Sequence, residues 1–135
     1  MKRVAFVTTV LITFVVAVVG TASAFNEADF QKLKTTGSCV DCDLSGVLLI
    51  HWNLAGANLS GANLSGANLS DAYLAGANLS GTNLSNAILA GASLAHANLV
   101  RAKLPGASLF FVSLDDATWT DRSECEQGSV GSCKR

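Results

Sequence analysis

Four cysteines are the residues of this sequence with the clearest potential for chemistry. The chain has 135 residues, and its cysteines are Cys39, Cys42, Cys125 and Cys133. In an exported chain an even number of cysteines favours disulfide bonds, and four of them allow three pairings. Cys39 and Cys42 also have the Cys-x-x-Cys spacing found in redox-active dithiols and in zinc and haem sites. Haem attachment is disfavoured because Asp43, and not histidine, follows Cys42.

Other catalytic combinations are missing from the sequence. The serines have no matching base, and there is no phosphate-binding loop, paired-carboxylate cleft or cofactor fingerprint. The two histidines, His51 and His96, have no third ligand type near them in the repeat described below. We therefore predict a non-enzymatic protein without catalytic residues, cofactor or metal. A thiol–disulfide redox protein that uses Cys39 and Cys42 is the alternative.

The first 24 residues have the pattern of a secretory signal peptide. Lys2 and Arg3 precede an apolar run over residues 4–19, and Ala22-Ser23-Ala24 satisfies the small-residue cleavage rule. The run is shorter than the ~20 residues of a membrane span, which disfavours an uncleaved anchor. We expect a periplasmic or secreted bacterial protein that does not contact the membrane after cleavage. The formal net charge of −1 gives no reason to expect a nucleic-acid partner.

Leucine recurs at every fifth residue from Leu44 to Leu114, and Trp119 continues the register. A small or apolar residue, usually alanine, stands two positions before each leucine, and asparagine is commonest between them. A period of five forms no stripe on an α-helix and alternates between the faces of a strand. The chain must therefore turn once per repeat, with leucine and alanine inward and asparagine outward. Because one unit cannot bury its own leucine, only stacked units form a core.

This pattern closely resembles the pentapeptide-repeat family, over residues 42–121. The resemblance implies a right-handed quadrilateral parallel β-helix with four units per coil and about four coils. We expect an N-terminal cap over residues 25–41, with a short helix that starts at Asn26, and a C-terminal cap over residues 122–135. Residues twenty apart should then stack, which places His51 beneath Asp71 and predicts an ion pair between Arg101 and Asp121.

Such a rod separates the two cysteine pairs by most of its length. The easy pairings are therefore Cys39 with Cys42 and Cys125 with Cys133, as structural crosslinks at the two ends. 

One predicted wall carries apolar residues at outward positions, and these form a possible interaction face: Leu48, Ile50, Ile88, Phe110 and Phe111. For the two phenylalanines we favour packing beneath the C-terminal tail, with a docking face as the alternative.

The predicted function is a structural or protein-interaction scaffold in the cell envelope, whose partner is an unknown envelope protein or a second copy. A DNA-mimicking, topoisomerase-binding role, known for cytoplasmic family members with an acidic face, is less favoured. Asp71 is the one charged residue between Leu44 and Val100, so the middle of the rod lacks an acidic face.

Overall fold

The computed structural model describes residues 25–135, and the predicted signal peptide lies outside this range. It begins with one helix, α1 (Glu27–Thr36). Asn26 is the N-cap, and its side chain accepts hydrogen bonds from the backbone N–H groups of Ala28 and Asp29. The helix ends at Thr36, and the φ of 66° at its C-cap, Gly37, lies in the left-handed region. Every residue type needed to start and stop a helix is therefore present within twelve positions.

Parallel β-bridges between residues twenty apart form the rest of the fold. One column of bridges runs from Ser38 through Asn58, Asn78 and Asn98 to Thr118. Between bridges the chain turns, so within residues 25–135 no strand is longer than a single bridged residue. A repeat of five residues within a step of twenty gives four walls per turn, and each turn is called a coil below.

Backbone hydrogen bonds follow the same step. The Leu59 N–H donates to the carbonyl of Asn78 at 2.8 Å, and the Asn78 N–H donates back to the carbonyl of Ala57 at 2.9 Å. Asparagine side chains reinforce the walls, since Asn58 Oδ1 accepts from the Ser60 N–H at 3.2 Å. This local bond occupies a backbone N–H at the turn and explains the preference for asparagine before leucine.

The leucines fill the interior of the coils. Their side chains are fully enclosed from Leu59 to Leu99, and the alanines two positions earlier are buried beside them. Thr82 occupies one of these alanine positions, where its hydroxyl donates to the carbonyl of Leu59 at 2.7 Å. A polar residue is tolerated there because its one donor is satisfied.

The corners between walls require left-handed backbone. Gly91 has a φ of 72°, and a Cβ placed on it would collide with the Asp71 carboxylate of the coil below. Glycine at this corner therefore provides both a permitted φ and the space that Asp71 occupies. Asp71 itself has a φ of 55°, which aspartate and asparagine adopt more readily than most residues.

Different structures lie at the two ends of the rod. At the start, the Asp43 N–H donates to the Asp29 carboxylate at 2.8 Å, and the ring of Phe30 lies 5.5 Å from that of Trp52. At the end, the chain reverses, so that Glu124 pairs antiparallel with Thr118 and Val130 with Ser113. Within residues 25–135 no helix has the length and apolar character to cross a membrane.

Candidate functional site

The cysteine pair near the start of the rod is enclosed. Cys39 and Cys42 form a disulfide with their Cα atoms 5.3 Å apart. Both side chains are buried, with 0% of Cys39 and 3% of Cys42 exposed. Cys42 stands at an inward alanine-type position of the first coil, so this disulfide is part of the core beneath α1.

The second pair closes the tail. Cys125 and Cys133 form a disulfide with their Cα atoms 4.9 Å apart. The Glu126 N–H donates to the carbonyl of Lys134 at 2.9 Å, which holds the two arms of this loop together. The end of the chain is thereby turned back over the segment that pairs with Ser113 and Thr118.

The last residue makes an ion pair that the sequence did not indicate. Arg135 lies 3.0 Å from Asp121, whereas Arg101, the predicted partner of Asp121, has no such contact. The prediction of an Arg101–Asp121 ion pair is therefore wrong, because the returning tail brings a second arginine to the same carboxylate. Hydrogen bonds from the Ser123 hydroxyl and N–H, with a smaller contribution from Arg135, lower the pKa of Asp121.

The histidines lie at exposed corners. His51 Nδ1 is 3.9 Å from Asp71, and His96 Nδ1 is 3.9 Å from Asp116. Each aspartate belongs to the coil above its histidine, as expected for His51 and Asp71. Among the residues described, no three histidine, cysteine or acidic side chains are arranged as a metal site.

One wall carries all five residues of the candidate interaction face. This strip wall comprises residues 47–51, 67–71, 87–91 and 107–111, and its outward column of bridges joins Leu48, Asn68, Ile88 and Ser108. The apolar side chains exposed on it are Leu48, Ile50, Ile88, Phe110 and Phe111. Asn68 and Ser70 interrupt the apolar surface between the first and third coils.

The favoured interpretation of the two phenylalanines is wrong. Phe110 and Phe111 are 67% and 68% exposed and pack on each other, with ring centroids 4.2 Å apart, and the C-terminal tail does not cover them. The tail covers only the two walls that carry Ser113 and Thr118. The two remaining walls of the last coil are open at their upper edge, and this leaves Leu104 and Leu109 half-buried.

The open edge borders a hollow beside the phenylalanines. It has a volume of about 590 Å³ and is lined by Ala107, Ser108, Leu109, Phe110, Phe111, Val130 and Gly131. Sequence reasoning identified only the two phenylalanines of this group. Leu109 and Ala107 follow the repeat without deviation, so nothing in their pattern distinguishes them from enclosed residues. Their exposure depends on the path of the tail.

Comparison with known proteins agrees with the observed twenty-residue geometry. The family model for pentapeptide repeats matches residues 42–81 and 72–109, which together span half of the chain. This chain belongs to the pentapeptide-repeat family. The resemblance seen in the sequence is confirmed, and membership implies a right-handed quadrilateral β-helix.

Several solved structures of pentapeptide-repeat proteins are similar to the chain. QnrB1, a plasmid-mediated fluoroquinolone resistance protein, is 26% identical over 59% of this chain and 45% of its own, with a TM-score of 0.52. HetL, from the cyanobacterium Nostoc sp. strain PCC 7120 and involved in heterocyst differentiation regulation, is 30% identical over 64% of this chain and 51% of its own, with a TM-score of 0.41. The protein alr5209 from Nostoc is 32% identical over 70% of this chain and 82% of its own, with a TM-score of 0.39.

The pentapeptide-repeat chain spans about half the length of HetL and of QnrB1. No curated protein has significant sequence similarity to it. The comparisons therefore support the fold and the family, and any partner must be argued from the surface of this chain.

Proposed function

We propose that this pentapeptide-repeat protein is a non-enzymatic, exported rod that binds another protein in the cell envelope. In this proposal residues 1–24 are a signal peptide, residues 25–41 and 122–135 are caps, and residues 42–121 form about four coils. The single observation that carries the binding role is the exposed apolar surface of the strip wall, which ends at Phe110 and Phe111.

The cysteines support export. All four are paired, and disulfides persist mainly in oxidising compartments such as the periplasm. The other walls of the rod carry mainly neutral asparagine, serine and glycine, and within residues 42–121 Tyr73 is the one large apolar side chain exposed on them. Clustered apolar surface on a soluble protein marks interaction sites. Of the eight large apolar side chains exposed within residues 25–135, five lie on the strip wall, in two groups that Asn68 and Ser70 separate.

Burial argues against the redox alternative. Thiol–disulfide exchange requires a thiolate to attack an accessible sulfur, and Cys39 is completely enclosed. A DNA-mimicking role lacks its electrostatic basis, because the long middle section of the rod has a single acidic residue, Asp71. The likeness to QnrB1 therefore supports the fold more than a shared target.

Fractionation followed by crosslinking tests the proposal. The full chain, expressed from its own start, should be recovered outside the cytoplasm, without residues 1–24 and without free thiols. A photo-reactive group at position 110 should capture an envelope protein, whereas the same group at position 60, on the Asn/Ser surface, should capture none. Cytoplasmic protein with free thiols would contradict export, and equal capture from both positions would contradict a binding wall.

A further inference from the structure

The open edge of the last coil, residues 102–111, presents backbone groups that every coil below it satisfies. One coil lower, the Leu84 and Leu89 N–H groups donate to the carbonyls of Lys103 and Ser108, at 2.7 and 3.0 Å. Within residues 25–135 the corresponding groups of the last coil have no partner. They are the N–H groups of Leu104, Gly106, Leu109 and Phe111 and the carbonyls of Ala102 and Ala107.

The tail shows how this edge can be occupied. On the neighbouring wall the Leu114 N–H donates to the carbonyl of Ser129 at 2.8 Å, and the carbonyl of Val112 accepts from the Gly131 N–H at 2.9 Å. After Gly131 the chain leaves the edge, because Cys133 is bonded to Cys125. An extended segment from elsewhere can therefore continue along the edge where the tail departs.

The two walls of the edge differ in how well they are protected. The first contains Lys103 and Pro105, and lysine and proline are residues that block edge pairing. The second, residues 107–111, contains neither. It has two free N–H groups, one free carbonyl and the hollow between Leu109 and Val130.

Phe111 is held in an unfavourable backbone conformation at the end of this segment. Its φ is 56°, at a corner where the coils otherwise place glycine, aspartate, asparagine, histidine or arginine. A bulky residue in the left-handed region is a backbone outlier, and its side chain is 68% exposed, so packing inside the protein does not compensate. An exposed aromatic side chain on a strained backbone indicates that this residue contacts another molecule.

The chemistry of the edge restricts what can bind. It offers twice as many hydrogen-bond donors as acceptors, and Arg101 and Lys103 beside it have no acidic partner within 4.0 Å among the residues described. We propose that the edge at residues 107–111 binds an extended acidic segment of a partner protein by β-strand addition, with one apolar side chain of that segment in the hollow. This deepens the proposed function, on which it rests, by assigning the class of partner.

A second copy of the chain is a poorer occupant. Two such edges facing each other would bring four N–H groups of residues 109 and 111 together with only two carbonyls of residue 107. Half of the donors would stay unpaired, and the cations of both copies would be added to the same interface. An acidic strand supplies both the missing acceptors and the opposite charge.

Synthetic peptides test the proposal on the purified, oxidised protein from the full chain. The probe is an eight-residue peptide of alternating glutamate and valine with blocked termini. Its controls are a lysine–valine peptide and a glutamate–valine peptide that is N-methylated at every second residue. We expect saturable binding of the acidic probe, at least tenfold weaker binding of both controls, and slower amide exchange at Leu109 and Phe111 in the complex.

Two substitutions with matched controls locate the site. Phe111→Asn should weaken binding of the probe about tenfold and leave the melting temperature unchanged or higher, because asparagine accepts the left-handed φ. Tyr73→Asn on another wall should leave binding unchanged. Lys103→Glu should weaken binding about five- to tenfold, whereas Lys32→Glu on α1 should not.

Several results would overturn the inference. The first is binding of the N-methylated or the lysine–valine peptide that is as tight as binding of the probe. The second is the absence of saturable binding of the probe. The third is a concentration-dependent dimer of the protein that Phe111→Asn abolishes. Because these assays use purified protein, their failure leaves export and capture at position 110 unaffected. Failure of those cellular assays would contradict the proposed function whatever the peptide does.

Discussion

Asp121 contacts Arg135, the last residue of the chain, at 3.0 Å, although Arg101 belongs to the same column one coil below. The stacking of Arg101 under this corner is intact, since its N–H donates to the carbonyl of Thr120 at 2.9 Å. The carboxylate of Asp121 therefore joins the end of the chain to the last coil. Its hydrogen bonds from Ser123 fix its orientation.

The hydrogen bonds from Ser123 to Asp121, with a smaller contribution from Arg135, make this corner sensitive to acid. The pKa of Asp121 is lowered in the folded protein, so the stabilisation it provides is complete above its ordinary value of 3.8. It is lost as the pH falls below 3.8 and through the folded pKa. A carboxyl-carbon NMR titration should show a midpoint for Asp121 below 3.8, and Ser123→Ala should move it upward. A midpoint at or above 3.8 in the unsubstituted protein would disprove this assignment.

Removing the second disulfide should loosen only the tail. The double substitution Cys125→Ala with Cys133→Ala should cost the C-terminal segment up to about 2–3 kcal/mol, the value for a loop of this size. Amide exchange should accelerate at Leu114 and Trp119 and remain slow at Leu74, since coils contact only their neighbours. Uniform loss of protection along the rod would show instead that the molecule unfolds as one unit.

The inward leucines should dominate stability. Leu74 is completely buried, and Leu74→Ala should cost about 2–5 kcal/mol because its surroundings cannot collapse fully. Asn78→Ala, which removes the bond to the Ser80 N–H, should cost about 1 kcal/mol. Urea unfolding of both variants provides the comparison. A larger effect at position 78 would place the stabilising contacts on the walls.

Two glycines with the same backbone conformation should respond differently to substitution. Gly91 and Gly76 have φ values of 72° and 67°, but only at Gly91 would a Cβ collide with Asp71, whereas Gly76 faces open space. Gly76→Ala should cost about 1–2 kcal/mol for the left-handed backbone, and Gly91→Ala about 1–3 kcal/mol more. Adding Asp71→Gly should recover this excess. Equal melting temperatures for the two single variants would contradict the clash.

The repeating part of the molecule could be predicted from the sequence because its cause is local. The five-residue spacing of leucine determines which side chains point inward, and the observed burial from Leu59 to Leu99 follows that spacing. The end could not be predicted in the same way. Leu104 and Leu109 obey the spacing yet are half-buried, because the two walls above them are left uncovered by the tail.

The path of the tail depends on contacts that do not follow the five-residue repeat. The Cys125–Cys133 disulfide, the Glu126–Lys134 backbone bond and the Arg135–Asp121 ion pair each join residues whose separation bears no relation to five or twenty. Such contacts explain why the sequence indicated the wrong partner for Asp121. They also explain why it suggested cover for Phe110 and Phe111 where there is none.

The twenty-residue step makes the length of the rod and the direction of its end two separate variables. Inserting one further coil would move the open edge about 4.8 Å away from α1 and leave it above Ile88, on the same side. Inserting a single pentapeptide would advance the chain by one wall, so that Phe111 would point a quarter-turn away from Ile88. The number of repeats thus determines two properties. Each set of four repeats lengthens the rod by one coil, and each single repeat turns its end by one wall. Duplication of five residues would therefore turn the edge at residues 107–111 to a different side of the rod, toward a different partner, without altering any residue in that edge.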